Sequence, residues 1–190
     1  SLTFALQRHT YRTLIGLLAV TGLRIGEVIR LDRGDVCADA GLVRVINTKF
    51  GKSREVPLHP SSVEALVGYE QQRDRLCPVP VDNSFFVSTP GTRVRYSVIQ
   101  PTFKKLAGQA GLQPRSPRCR PRIHDVRHSV AVRALVDCYA TGGDALTLLP
   151  LLSTFMGHTD PKSTYWYLSA APELMALTSR RLEDAFEVNR

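Results

Sequence analysis

Five scattered sites in this sequence place chemically capable side chains at turns or helix ends. They are Arg24 beside Thr21-Gly22, Lys49 in a short polar turn, His124 with Arg127, His158 after Gly157, and the tyrosines Tyr165 and Tyr167. Each alone says little. An isolated Arg is usually solvated or in a surface ion pair, and a Tyr is commonly a packing residue with a satisfied hydroxyl. Together they suit one chemistry. Two Arg, one Lys and two His make an anion clamp, and no carboxylate cluster of the kind that holds Mg²⁺ accompanies them. That set fits phosphoryl transfer stabilised by cationic side chains, with a Tyr as nucleophile.

The segments around these residues carry a resemblance. Thr21-Gly22-Leu23-Arg24-Ile25-Gly26-Glu27 resembles the first arginine motif of the tyrosine recombinase (phage-integrase) family. Thr48-Lys49-Phe50-Gly51-Lys52-Ser53-Arg54-Glu55-Val56-Pro57-Leu58 resembles its lysine-bearing β-hairpin. His124-Asp125-Val126-Arg127-His128 is similar to its H-x-x-R box, and Met156-Gly157-His158 with Tyr167 nine residues on resembles its closing box. All four stand in the family's order and cover nearly the whole chain.

The resemblance implies roles. Arg24 and Arg127 would hold the scissile phosphate, because guanidinium forks match phosphate geometry and stay charged. His158 would add a hydrogen bond. Tyr167 would attack phosphorus, and since a free phenol ionises near pH 10, roughly, it must lose its proton on attack; His124 would help. Lys49 would protonate the leaving 5′-oxygen. The product is a 3′-phosphotyrosyl link and a 5′-hydroxyl, so no cofactor, ATP or metal is implied. Lys49 lies eight residues before Pro57, as the family's lysine does, which leaves Lys52 for the DNA backbone. Spacing from His158 likewise selects Tyr167 over Tyr165. Arg54 and the loop arginines Arg115, Arg118, Arg120 and Arg122 are expected DNA contacts. Glu27 either orients Arg24 through an ion pair or is simply solvated. His124 and His128, four apart, could face one metal, but no Glu follows His124 and the zincin pattern fails. Arg127 and His158 are farther apart than in compact bacterial members, with the extra residues around Tyr139 to Leu148. The Thr48-Lys49-Phe50-Gly51-Lys52-Ser53-Arg54 hairpin and the Tyr165-Trp166-Tyr167-Leu168 ending resemble those of transposon-borne members. The rival readings are a type IB topoisomerase and a non-catalytic DNA-binding module of the same fold.

Composition agrees with an anionic partner. The chain has 190 residues, a formal charge of +8 and a pI near 9.7, which makes double-stranded DNA the first candidate; the bland alternative is a basic surface serving solubility. The hydrophobic fraction is 43%, ordinary for a folded domain. No apolar run approaches a membrane span and no secretory signal is visible, so the bacterial cytosol or nucleoid is expected, with no membrane partner. Cys37, Cys77, Cys119 and Cys138 are widely spaced, which favours reduced thiols in or near the core over zinc or disulfides.

To position these residues the periodicity predicts a mainly α domain with a small antiparallel β-sheet (α+β), and the resemblance implies the integrase catalytic-domain fold. Helices are predicted over Thr10–Val20, Arg24–Leu31, Pro60–Leu76, Ser97–Ala110, Ile123–Tyr139, Leu146–Met156 and Pro172–Val188, with a short one started by Pro161 and carrying Thr164 to Leu168. Strands are predicted at Leu42–Ile46 and Ser53–Leu58, joined by a turn at Lys49-Phe50-Gly51-Lys52. Asp32–Ala40 reads as a polar connection, Cys77–Asn83 and Gln113–Pro121 as loops. Residues 1–190 are taken as one catalytic domain, with the family's N-terminal DNA-clamping domain expected upstream. By the same resemblance, four full-length protomers would assemble on DNA through the last helix, while this chain alone would be monomeric.

Overall fold

The computed structural model describes residues 2–46, 53–114, 116, 119–157 and 167. The chain forms two compact units, residues 1–127 and 128–190.

The first unit begins with α1 (Leu2–Thr21), α2 (Ile25–Arg30) and a 3₁₀ turn at Arg33–Asp35. Then come β1 (Val36–Cys37), β2 (Leu42–Val45), β3 (Arg54–Pro57), α3 (Pro60–Leu76) and α4 (Tyr96–Gln109). On α1, Leu6, Thr10, Leu14, Leu17, Leu18 and Thr21 are buried, one stripe at helical spacing. On α3 the matching stripe is Leu66, Tyr69 and Arg73, and the two helices pack together. The Tyr69 hydroxyl lies 3.2 Å from Thr10 Oγ1 and accepts the Val87 N–H at 3.2 Å, while Thr10 Oγ1 donates to the Val87 carbonyl at 3.0 Å. Every polar atom in that buried trio is answered, which is what its desolvation demands.

The sheet is antiparallel in the order β1-β2-β3, with Val36 opposite Val43 and Val43 opposite Val56. Val43, Val45 and Val56 face the core, while Arg44 and Glu55 pair on the exposed face. This period-two alternation made β2 and β3 legible. β1 was not: two residues inside an otherwise polar stretch are too short to show alternation, so the expected connection at Asp32–Ala40 holds a 3₁₀ turn and a strand.

Three other departures have physical causes. α1 begins eight residues before Thr10, because Leu6 extends the buried stripe. α3 starts where expected, but its cap is His59, whose Nδ1 accepts the Ser61 N–H at 3.3 Å. Ser84–Val94, for which periodicity gives no element, supplies Phe85, Phe86 and Val87, all fully buried. Isolated bridges hold it, Asp32 to Ser84 and Val87 to Arg93. Arg73, also fully buried, donates to the Phe85 carbonyl, Glu70 and Asp74.

The boundary between the units falls within α5 (Ile123–Ala140). In the second unit Ala131 and Leu135 of α5 cluster with Ala145, Leu149, Leu152 and Met156 of α6 (Ala145–Met156) and with Tyr167. Asp144 caps α6, accepting the Leu146 N–H at 2.9 Å and the Thr147 hydroxyl at 2.7 Å. Gly157 ends it at φ 68°, a left-handed conformation that favours glycine. The extra residues around Tyr139 to Leu148 are thus the end of α5, a turn and the start of α6. Tyr167 is helical. The turn at Lys49–Lys52, the rest of the expected short helix from Pro161 through Leu168 and the final helix Pro172–Val188 lie outside the described residues.

All four cysteines are free thiols; Cys119 is exposed rather than near the core, since it sits in the proline- and arginine-rich loop. Among the described residues no helix is long and apolar enough to cross a membrane.

Candidate active site

Arg24 sits at the junction of α1 and α2. Thr21 ends α1, its hydroxyl donating to the Leu17 carbonyl at 2.6 Å and accepting the Leu23 N–H at 3.3 Å. Gly22 follows at φ 62°, and its N–H closes on the Leu18 carbonyl at 3.0 Å. A side chain at that φ would be strained. The turn leaves Arg24 as the N-cap of α2, with its backbone N–H on Glu27 Oε2 at 2.9 Å and its guanidinium on Oε1 at 3.1 Å.

Arg127 belongs to the same turn. It is 3% exposed, and its Nη1 donates to the Gly22 carbonyl at 2.6 Å. Two arginines from motifs a hundred residues apart are therefore organised around four consecutive residues, Thr21 to Arg24.

Glu27 is 3% exposed and takes three cationic hydrogen bonds. Besides Arg24, Arg54 gives it both terminal nitrogens, at 3.2 and 3.0 Å. Of the two sequence readings of Glu27, the ion pair is the one present. Arg54, expected to reach DNA, has its side chain only 16% exposed and its guanidinium on this carboxylate. Burial pushes the Glu27 carboxyl up, but the hydrogen bonds from Arg54 and the Arg24 N–H, with both guanidinium charges, bring it below the ordinary range. A carboxyl depressed by folding adds stability above its unfolded value and loses it as pH falls through its folded value. Glu27→Gln is therefore expected to be less stable than the parent at pH 7, and the gap should close on acidification below about pH 4.5. Urea midpoints at several pH values measure it; a gap independent of pH would show that the carboxylate charge is not what holds the turn.

His124 is exposed near the start of α5. It lines a groove of about 850 Å³ with Tyr96, Phe103, Lys104, Arg120 and Arg122. Arg120 and Arg122 are exposed as the basic loop predicts, although Arg122 also engages Asp125 of the first α5 turn at 3.1 Å. Lys104, unnoticed in the sequence, adds a cation to this groove; nothing in the local pattern separated it from any surface lysine of a helix.

In the second unit the Tyr167 ring is enclosed by the apolar cluster and is 2% exposed. Its hydroxyl lies 3.0 Å from Nδ1 of His128, with the two rings tilted at 56° and their centroids 5.5 Å apart. By sequence His128 stands out only as a possible metal partner of His124. Lys49, Lys52, Arg115, Arg118 and His158 lie outside the described residues. Among the described residues no group of three or more His, Cys, Asp or Glu is placed to hold a metal ion.

The family model described as Phage integrase family matches residues 3–173. The chain belongs to that family. Among its integrase relatives, the Sinorhizobium fredii protein y4rB, named as an integrase/recombinase, is 42% identical over 183 residues, which is 96% of this chain and 58% of the relative. The tyrosine recombinase XerC of Corynebacterium efficiens is 29% identical over 173 residues, 91% of this chain and 48% of its own length. The chain thus spans about half the length of the curated relatives it matches. Integrase-family structures share the fold. The crystal structure of XerA recombinase aligns with a TM-score of 0.73 at 24% identity, over 95% of this chain and 59% of the other. The Tn1549 transposon integrase in complex with transposon right end DNA aligns with a TM-score of 0.65 at 20% identity, over 93% and 59%.

Proposed function

We propose that this chain is the catalytic domain of a site-specific recombinase that cuts and rejoins double-stranded DNA through Tyr167. The observation that carries the reading is the turn at Thr21 to Arg24, where Arg24 is oriented by Glu27 and Arg127 is anchored to Gly22. A guanidinium pair fixed before substrate arrives suits the charge that develops on the phosphoryl oxygens, since such donors need no reorganisation during reaction.

In this mechanism the Tyr167 oxygen bonds to phosphorus as the bond from phosphorus to the 5′-oxygen breaks. Arg24, Arg127 and His158 stabilise the phosphoryl oxygens. Lys49 gives the leaving oxygen its proton, and His124 assists at the tyrosine. The energy of the broken bond stays in the phosphotyrosine, so a 5′-hydroxyl from the same or another duplex reverses the step. Lys52, Arg115, Arg118, Arg120 and Arg122 track the backbone, while Arg54 acts indirectly by holding the Glu27 carboxylate that orients Arg24. Neighbours whose structures hold transposon-end DNA and the +8 charge support a DNA partner and an element-borne role. In the whole protein, four protomers act on two duplexes in the bacterial cytosol, with a DNA-clamping domain upstream of these residues.

The test uses full-length protein and a pool of nicked duplexes of randomised core sequence, in EDTA. An SDS-resistant protein–DNA adduct should form, and peptide mapping should find the nucleotide on Tyr167. An adduct lost on chelation and restored by Mg²⁺, or mapped to another residue, would overturn the mechanism.

A further inference from the structure

Buried tyrosine hydroxyls find a hydrogen-bond partner. For Tyr167 that partner is an imidazole. His128 begins the stripe His128, Ala131 and Leu135 on α5, three and then four residues apart, which is the helix face that meets the apolar cluster. Its ring is therefore held on the side where Tyr167 packs. The contact is Nδ1 to Oη at 3.0 Å. With the ring proton on Nε2, Nδ1 accepts from the phenol, and it is then the lone pair nearest the proton that the phenol must lose.

We propose that His128 is a further catalytic residue: its Nδ1 takes the Tyr167 proton as Oη attacks phosphorus, and returns it when the strand is rejoined. The inference rests on Tyr167 being the nucleophile, as argued above. One bond forms, Oη to phosphorus, and one breaks, phosphorus to the 5′-oxygen. The phenol proton passes to His128, which becomes imidazolium, and the leaving oxygen takes a separate proton from Lys49. Rejoining runs the same transfers backwards. The motif histidine His124, to which the resemblance gives help at the tyrosine, lies exposed one turn earlier on α5. The imidazole that touches the attacking oxygen is that of His128.

The surroundings suit a proton acceptor. His124 and Asp125 precede His128 by one turn on the same helix, and α6, which shares the apolar cluster, carries no titratable side chain. At Nδ1 the ring meets the Tyr167 hydroxyl. With 2% of its surface exposed, Tyr167 must be uncovered before its oxygen reaches phosphorus. The hydroxyl–imidazole pair is the part of the reaction already assembled.

The experiment follows adduct formation against pH, with the full-length protein and the randomised nicked-duplex pool. The variants are His128→Ala and His128→Gln, alongside Tyr167→Phe. Wild type should show a limb of unit slope where imidazoles titrate. His128→Ala should fall at neutral pH by on the order of 10²-fold, lose that limb, and recover as pH rises toward phenol ionisation. His128→Gln keeps a hydrogen-bonding side chain without a basic nitrogen; it should fold as wild type by circular dichroism and still lack the limb. An unchanged rate and pH profile in His128→Ala would overturn the proposal, and so would full rescue by Gln, which would make the contact only structural. No adduct with wild type would instead sink the recombinase reading, so the two failures are separable.

Discussion

Tyr167→Phe is expected to abolish the covalent adduct while leaving a folded protein. The substitution removes one oxygen and keeps the ring that fills the cluster of Ala131, Leu135, Leu149 and Met156. The folding cost includes the hydrogen bond to His128, which contributes about 1 kcal/mol. The chemical cost is total, because a phenyl ring has no atom to bond to phosphorus; the fall should be on the order of 10⁴-fold or more, to the floor of the assay. Tyr165→Phe, two residues away, should form adduct at the parental rate. The comparison is made on SDS gels with the nicked duplexes, beside a thermal melt for each variant. Adduct retained by Tyr167→Phe and lost by Tyr165→Phe would reverse the choice of nucleophile.

Arg127→Ala should damage both fold and reaction, and is the second large effect. At 3% exposure the guanidinium is enclosed, and it answers the Gly22 carbonyl at 2.6 Å. Its removal leaves that carbonyl without its cationic donor beside Arg24. Hydrogen bonds to charged groups contribute about 1.5–3 kcal/mol each, and lost packing adds to that, so a loss of about 3 kcal/mol in urea unfolding is expected. Adduct formation should fall by on the order of 10³-fold, the usual consequence of deleting a preorganised donor to a developing charge. Arg127→Lys keeps the charge without the planar fork and should lie between. If Arg127→Ala matched wild type in both stability and adduct rate, the turn would not be the reacting centre.

Most of the architecture was legible because its signals are local and periodic. The helix at Pro60–Leu76 and the strands β2 and β3 announce themselves through spacing that no tertiary contact overrides. Phe85, Phe86 and Val87 form no regular element, so a pattern-based reading passes over three of the most buried residues in the first unit. Arg73 illustrates the same limit, since nothing in its neighbourhood reveals that the Phe85 carbonyl and two acids enclose it. In the candidate site the motifs gave residue identities but not partners. Arg54 looked like any hairpin cation; its ties to Glu27 arise from a contact twenty-seven residues away. His128 sat beside Arg127 in plain view, and only folding brings Tyr167 onto its ring. Spacing finds residues that share an element, whereas hydrogen bonds between elements need coordinates.

The carboxylate of Glu27 also fixes when an entropic cost is met. Arginine side chains carry about 2 kcal/mol of rotamer entropy each, and a phosphate that had to order two of them on binding would lose up to about twice that in affinity. Here Arg24 and Arg54 are ordered by Glu27 as the chain folds, so the loss falls on the stability of the protein rather than on its grip on a ligand. Because the same carboxylate also holds the turn, its loss would be felt both in the stability of the protein and in any grip on a phosphate.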